Sequence, residues 1–162
     1  MPILSAENSF RRGLAALVDG DASSAADHFH AAILTEVQHG VKRPEMRYLS
    51  YYGLSRAKAH GATPQVIQAC ETASRRDSLN PDLFLNLGRV YLLAGKTTKA
   101  LAAFRRGLEL APDHRSLLAE SAKVDRRSPP PLSVVSRSHP LNKMLGKLRW
   151  SLRGRVAQQS KG

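Results

Sequence analysis

Residues 81–114 read PDLFLNLGRVYLLAGKTTKALAAFRRGLELAPDH. Phe84, Leu87 and Tyr91 recur at three- and four-residue spacing, which puts them on one face of a helix. Gly88, inside that face, has no side chain and leaves room for a neighbouring helix to approach closely. Gly95 then offers the left-handed conformation that commonly ends a helix. After it, Ala100, Phe104 and Leu108 make a second apolar stripe at i, i+4 and i+8. The stretch therefore reads as two helices joined by a tight turn.

The aromatic-x2-Leu-Gly-x2-Tyr run of Phe84, Leu87, Gly88 and Tyr91 resembles the first helix of a tetratricopeptide repeat (TPR). Ala100 and Phe104 are similar to the Ala-x3-Phe of its second helix, and Pro112 falls where that family closes its 34-residue unit. Diverged copies can be laid down upstream. In residues 6–38, Gly13 takes the small position, Gly20-Asp21 the turn, and Ala25, Phe29 and Ala32 the second stripe. Phe10, Leu14, Leu17 and Val18 continue its apolar face. In residues 44–80, Pro44 suits the first turn of a new helix, and Tyr48, Leu49, Tyr52 and Gly53 open the unit. Thr63 and Pro64 read as N-cap and first residue of its second helix, which carries Val66, Cys70 and Ala73. The Gly53–Cys70 spacing is one residue longer than Gly88–Phe104, which predicts an extended turn around residues 60–63. A lone hairpin leaves an apolar face uncovered, so residues 115–124, with Leu117, Leu118 and Ala122, are expected to form a capping helix.

The expected fold is all-α: a short TPR solenoid of three helical hairpins and a capping helix over residues 1–125. A Pro/Ser-rich linker follows over 126–139, where three consecutive prolines oppose helix formation. Residues 140–162 read as a basic amphipathic helix with Leu141, Met144, Leu145, Leu148 and Leu152 on one face. Of the 25 Lys and Arg in the chain, 16 lie in residues 1–125 beside all 13 acids; the other 9 follow residue 125, where there is no acid. The positive field thus belongs to the tail. A single cysteine rules out an intramolecular disulfide framework, and no basic-then-apolar leader opens the chain, so a cytoplasmic, reducing setting is expected.

No residues converge on a catalytic or cofactor-binding pattern, and the reading is a non-enzyme. His28 and His30 are two apart on a helix and cannot share a metal as an i, i+4 pair would. Cys70 sits in an apolar slot and reads as a small buried hydrophobe. Gly95-Lys96-Thr97-Thr98 only superficially resembles the end of a phosphate loop, because a helix and not a strand precedes it.

Resemblance to TPR domains implies a protein-interaction adaptor or scaffold whose first helices line a groove for a partner peptide or helix. Carried over by repeat position, the groove takes Phe10 and Leu14 from the first copy, and Arg47, Tyr51, Leu54 and Lys58 from the second. The third contributes Leu85, Asn86, Arg89 and Leu93. This mixture suits a partner with apolar anchors and acidic residues. Of the Lys and Asn used by TPR domains that clamp a terminal carboxylate, only Asn86 has a match; Glu7, Tyr51 and Asp82 depart from the pattern, which disfavours that activity. For the tail the open readings are docking on protein, association with an anionic membrane surface, a disordered solubilising segment, and nucleic-acid binding, the last disfavoured because Trp150 is its one aromatic.

Overall fold

The computed structural model describes residues 2–127. Seven helices and no strands occur among them: α1 (Pro2–Val18), α2 (Ala22–Gln38), α3 (Met46–His60), α4 (Pro64–Arg76), α5 (Pro81–Leu93), α6 (Thr97–Leu110) and α7 (Arg115–Arg127). Met1–Val124 form one compact unit. Helices joined by such short turns pack as antiparallel neighbours, giving the hairpins α1/α2, α3/α4 and α5/α6. Adjacent hairpins meet through α2 with α3, α3 with α5, and α4 with α5.

One steric device is repeated in every hairpin. A Cβ placed on Gly13 would lie 2.5 Å from Phe29 Cε1, one on Gly53 2.4 Å from Cys70 Sγ, and one on Gly88 2.2 Å from Phe104 Cε1. Glycine lets the two helices close until the partner side chain fills the missing volume. Phe29, Cys70 and Phe104 are consequently all fully buried. Gly107 repeats the arrangement one step on, facing Leu117 at 2.7 Å and seating α7 against the last hairpin.

Turn chemistry sets the helix ends. Gly95 adopts φ 71°, as its position predicts. Lys96 N–H then reaches back to the Tyr91 carbonyl at 2.8 Å, closing α5 with the six-to-one bond of a Schellman turn. Asp21 caps α2 by accepting from the Ser24 N–H at 2.9 Å. Thr63 caps α4 through a longer bond to the Val66 N–H, 3.4 Å, with Pro64 next in line.

Two expectations about the second hairpin are corrected. The turn after α3 is not extended: residues 61–63 match residues 94–96 in length. The additional residue is taken up in the helices, since α3 continues to His60, seven past Gly53, whereas α5 stops at Leu93, five past Gly88. Pro44 is not in the first turn of α3, which begins at Met46 after the N-cap Glu45. Glu36 explains the shift, because its buried carboxylate accepts the Glu45 N–H at 3.0 and 3.2 Å and pins the chain there. A third correction concerns Val18, expected on the apolar face of α1 but 87% exposed at its last turn.

Two apolar clusters hold the stack. An N-terminal one gathers Phe10, Phe29 and Tyr48 with the partly buried Tyr51. Phe10 meets Tyr51 edge-on at 5.3 Å and lies 5.1 Å from Tyr48. The second cluster runs from Leu54 and Cys70 through Val90, Tyr91 and Phe104 to Leu117 and Val124. Between the clusters Asn86 donates to the Ser50 hydroxyl at 3.2 Å, so this buried polar pair is satisfied across two helices.

Candidate functional site on the first helices of the hairpins

The first helices, α1, α3 and α5, carry corresponding residues at offsets of 40 and 35, the offsets that relate Gly13, Gly53 and Gly88. Rows of side chains therefore cross the three helices at fixed heights. The row nearest their amino ends holds Glu7, Arg47 and Asp82; the next holds Arg11, Tyr51 and Asn86, with Glu120 in step on α7. The row at their carboxyl ends holds Val18, Lys58 and Leu93.

Ion pairs within the chain dominate the amino end. Glu7 accepts from Arg47 Nη2 at 2.8 Å and from the Tyr48 hydroxyl at 3.3 Å, and Arg11 lies 3.4 Å from its other oxygen. Arg47 also lies 3.4 Å from the Glu45 carboxylate and stands over the rings of Phe10 and Tyr48, at 4.9 and 5.3 Å from their centroids. Burial pushes the Tyr48 phenol up to about 12, with Arg47 opposing the shift, so it stays a neutral donor. The C-terminal side repeats this habit. Arg89 contacts Glu120 through Nε and Nη2, both at 3.1 Å, and His114 Nε2 lies 3.0 Å from Asp82. His114 Nδ1 accepts the Leu117 N–H at 3.3 Å, which leaves Nε2–H as the ring's donor towards Asp82. Tyr51 sits between these two networks, half-buried; desolvation raises its pKa, with Asp82 adding to the rise and Arg89 opposing it.

The ten groove residues expected from the sequence divide by burial. Arg47, Tyr51, Arg89 and Leu14 are partly exposed along the face, and Lys58 and Leu93 are exposed at its carboxyl end. Phe10, Leu54, Leu85 and Asn86 instead belong to the interior; Leu54 is 2% and Asn86 1% exposed. Asn86, the one match to a terminal-carboxylate clamp, already spends its amide on Ser50. Sequence reasoning met Glu7 and Asp82 as departures from a carboxylate clamp and passed over Glu120; Glu7 and Glu120 neutralise the arginines of the face. The expected tail contacts, Leu141, Met144, Leu145, Leu148 and Leu152, and the linker before them lie outside the described residues.

Burial lifts the Cys70 thiol to about 12, far from a reactive thiolate, and its Sγ points at the Ser50 carbonyl, 3.6 Å away. His30 stacks on Tyr52 with centroids 5.5 Å apart. Among the described residues no three His, Cys, Asp or Glu come together as metal ligands, and no helix is long and apolar enough to cross a membrane.

Residues 81–114 match the family model described as tetratricopeptide repeat. That stretch is a tetratricopeptide repeat. Solved TPR domains share the chain's architecture. The Arabidopsis OM64 TPR domain is 18% identical with a TM-score of 0.62, over 79% of this chain and 100% of that one. The first TPR of Spaghetti (RPAP3), bound to the HSP90 peptide SRMEEVD, is 14% identical with a TM-score of 0.60, covering 77% of this chain and 94% of its own. The second TPR domain of human RPAP3, in complex with the HSP70 peptide SGPTIEEVD, is 18% identical with a TM-score of 0.60, covering 77% and 98%. No curated protein sequence matches the chain. At these identities the likeness is one of fold, and the chemistry of this domain must be taken from its own side chains.

Proposed function

We infer that this protein is a non-catalytic interaction module that holds a segment of a partner polypeptide along the face formed by α1, α3 and α5. The observation that carries the reading is the set of partly exposed side chains, Arg47 and Tyr51 on α3 and Arg89 on α5, along the face of adjacent first helices. A segment lying across those helices could touch all three at once. Two domains of similar fold have peptides bound, which supports the same use of this one. The basic stretch 140–162 is assigned the role of a second contact, joined through residues 126–139, so that two modest contacts reinforce each other through effective concentration.

The test is a comparative pull-down by the full chain with mass-spectrometric detection. Arg11→Glu/Arg89→Glu alters the face, and Arg76→Glu/Arg105→Glu places the same change in charge on exposed positions of α4 and α6. Partners lost with the first variant and kept with the second support the reading. Equal recovery with both removes the face as the binding site. Because residues 126–162 hold 9 cations and no acid, association led by an anionic membrane is the competing reading. Co-sedimentation with phosphatidylserine vesicles that survives deletion of residues 140–162 eliminates it.

A further inference from the structure

The cations of the proposed groove are unequally available. Arg11 and Arg47 are held by Glu7, and Arg89 by Glu120. Lys123 on α7 also has Glu120 within 3.7 Å. A partner carboxylate approaching any of these would have to displace one already in place, exchanging one ion pair for another with little net gain. Lys58 differs. It is exposed at the last turn of α3 and has no carboxylate partner among the described residues.

Its surroundings differ as well. Lys58 occupies the same row as Val18 on α1 and Leu93 on α5, which are 87% and 51% exposed. Large aliphatic side chains left in water at corresponding positions on both flanking helices are not explained by the packing of this chain, in which Phe10, Leu14, Leu17, Leu54, Leu85 and Val90 of the first helices are buried or half-buried. Leu14 and Leu17, partly covered, continue the apolar surface from Val18 into α1. One end of the face is thus ionic and internally neutralised. The other is aliphatic and carries Lys58 between Val18 and Leu93.

We propose that the partner segment is recognised at this carboxyl-end row: an acidic side chain or terminal carboxylate pairs with Lys58, flanked by aliphatic side chains that cover Val18 and Leu93. This rests on the interaction reading above and adds where the specificity lies and what it selects. The self-neutralised network around Arg47 and Arg89 then supplies contact surface, and the choice of acid is made at Lys58.

The experiment selects a phage-displayed random dodecapeptide library on the full-length protein, on Lys58→Glu, on Val18→Ser/Leu93→Ser, and on Arg47→Gln. All the altered side chains except Arg47 are exposed or nearly so, and helical content by circular dichroism checks each variant. Wild type and Arg47→Gln are expected to enrich the same peptides, with one acid between aliphatic residues. Lys58→Glu is expected to lose the acid while keeping the aliphatics, and to bind the wild-type peptides roughly tenfold more weakly. Val18→Ser/Leu93→Ser is expected to lose the aliphatics. Peptides that depend on Arg47 and are indifferent to Lys58, Val18 and Leu93 would overturn this assignment while leaving the interaction reading intact. Failure of the wild type to enrich any peptide would overturn both.

Discussion

Replacing Gly88 by alanine inserts one methyl group where the structure has no space for it. Its Cβ would sit 2.2, 2.5 and 2.8 Å from Cε1, Cδ1 and Cζ of Phe104, against a normal contact of about 3.4 Å or more. Phe104 is completely buried in the larger cluster and cannot swing out to solvent. The accommodation must come from forcing α5 and α6 apart or the ring off its rotamer, an overpacking that costs about 1–3 kcal/mol. Three ring atoms clash at once, so the upper end applies. Alanine in mid-helix returns about 1 kcal/mol through its better propensity. The net expectation is a loss of about 2 kcal/mol, or roughly 8 °C in Tm for a domain of this size. Thermal unfolding of the full chain, followed at 222 nm, measures it. Adding Phe104→Leu, which removes the offending ring edge, should make the double variant at least about 1 kcal/mol more stable than the sum of the single losses. A Gly88→Ala protein that melts at or above the wild-type temperature, or strict additivity with Phe104→Leu, would refute the claim that this glycine sets the distance between the helices.

Other outcomes follow from the same coordinates. A double-mutant cycle on Glu7→Gln and Arg47→Met should give a coupling of about 0.5–1 kcal/mol, the range for a half-exposed pair, and its absence would mean that the amino-end network is not formed in solution. Desolvation raises the Glu36 pKa, outweighing the Glu45 N–H that lowers it, so the folded state disfavours the charged form. Its contribution is therefore most favourable below the unfolded carboxylate pKa and is lost as pH rises through the folded one. Glu36→Gln, which can still accept the Glu45 N–H, should be more stable than wild type at pH 7 and lose that advantage near pH 3; denaturant midpoints at the two pH values decide it. Cys70 should resist a thiol reagent such as dithionitrobenzoate at pH 8 in the native protein and react fully in guanidinium; prompt native labelling would show that α3 and α4 open readily.

The spacing of the two stripes was legible in the chain because both lie within one hairpin; which side chain fills the space at each glycine came from the structure. Gly13, Gly53 and Gly88 each precede a bulkier residue by sixteen or seventeen positions, and one short turn brings the two together. Caps and turns at Asp21, Thr63 and Gly95 were legible for the same reason. The character of the groove was not. Whether Leu54, Leu85 or Asn86 lines a surface or fills a seam depends on side chains of the next hairpin, as the Ser50–Asn86 bond across 36 positions illustrates. Repeat position says which helix face a residue occupies, and the volume of its neighbours then decides its exposure. The Glu7–Arg47 and Arg89–Glu120 pairs span 40 and 31 positions, so no local spacing announces them. They turn a surface that reads as cationic into one that is largely self-neutralised. Pro44 misled because a proline commonly opens a helix, while the actual start is governed by Glu36, nine residues before Glu45.

That stacked first helices present a face on which another polypeptide lies is tested most directly by nuclear magnetic resonance. Titrating the isotope-labelled full chain with an enriched peptide should shift the amides around Leu14, Tyr51, Lys58, Arg89 and Leu93, with α2, α4 and α6 largely unmoved. Shifts confined to the outer residues of those second helices, or to residues 140–162, would contradict the account.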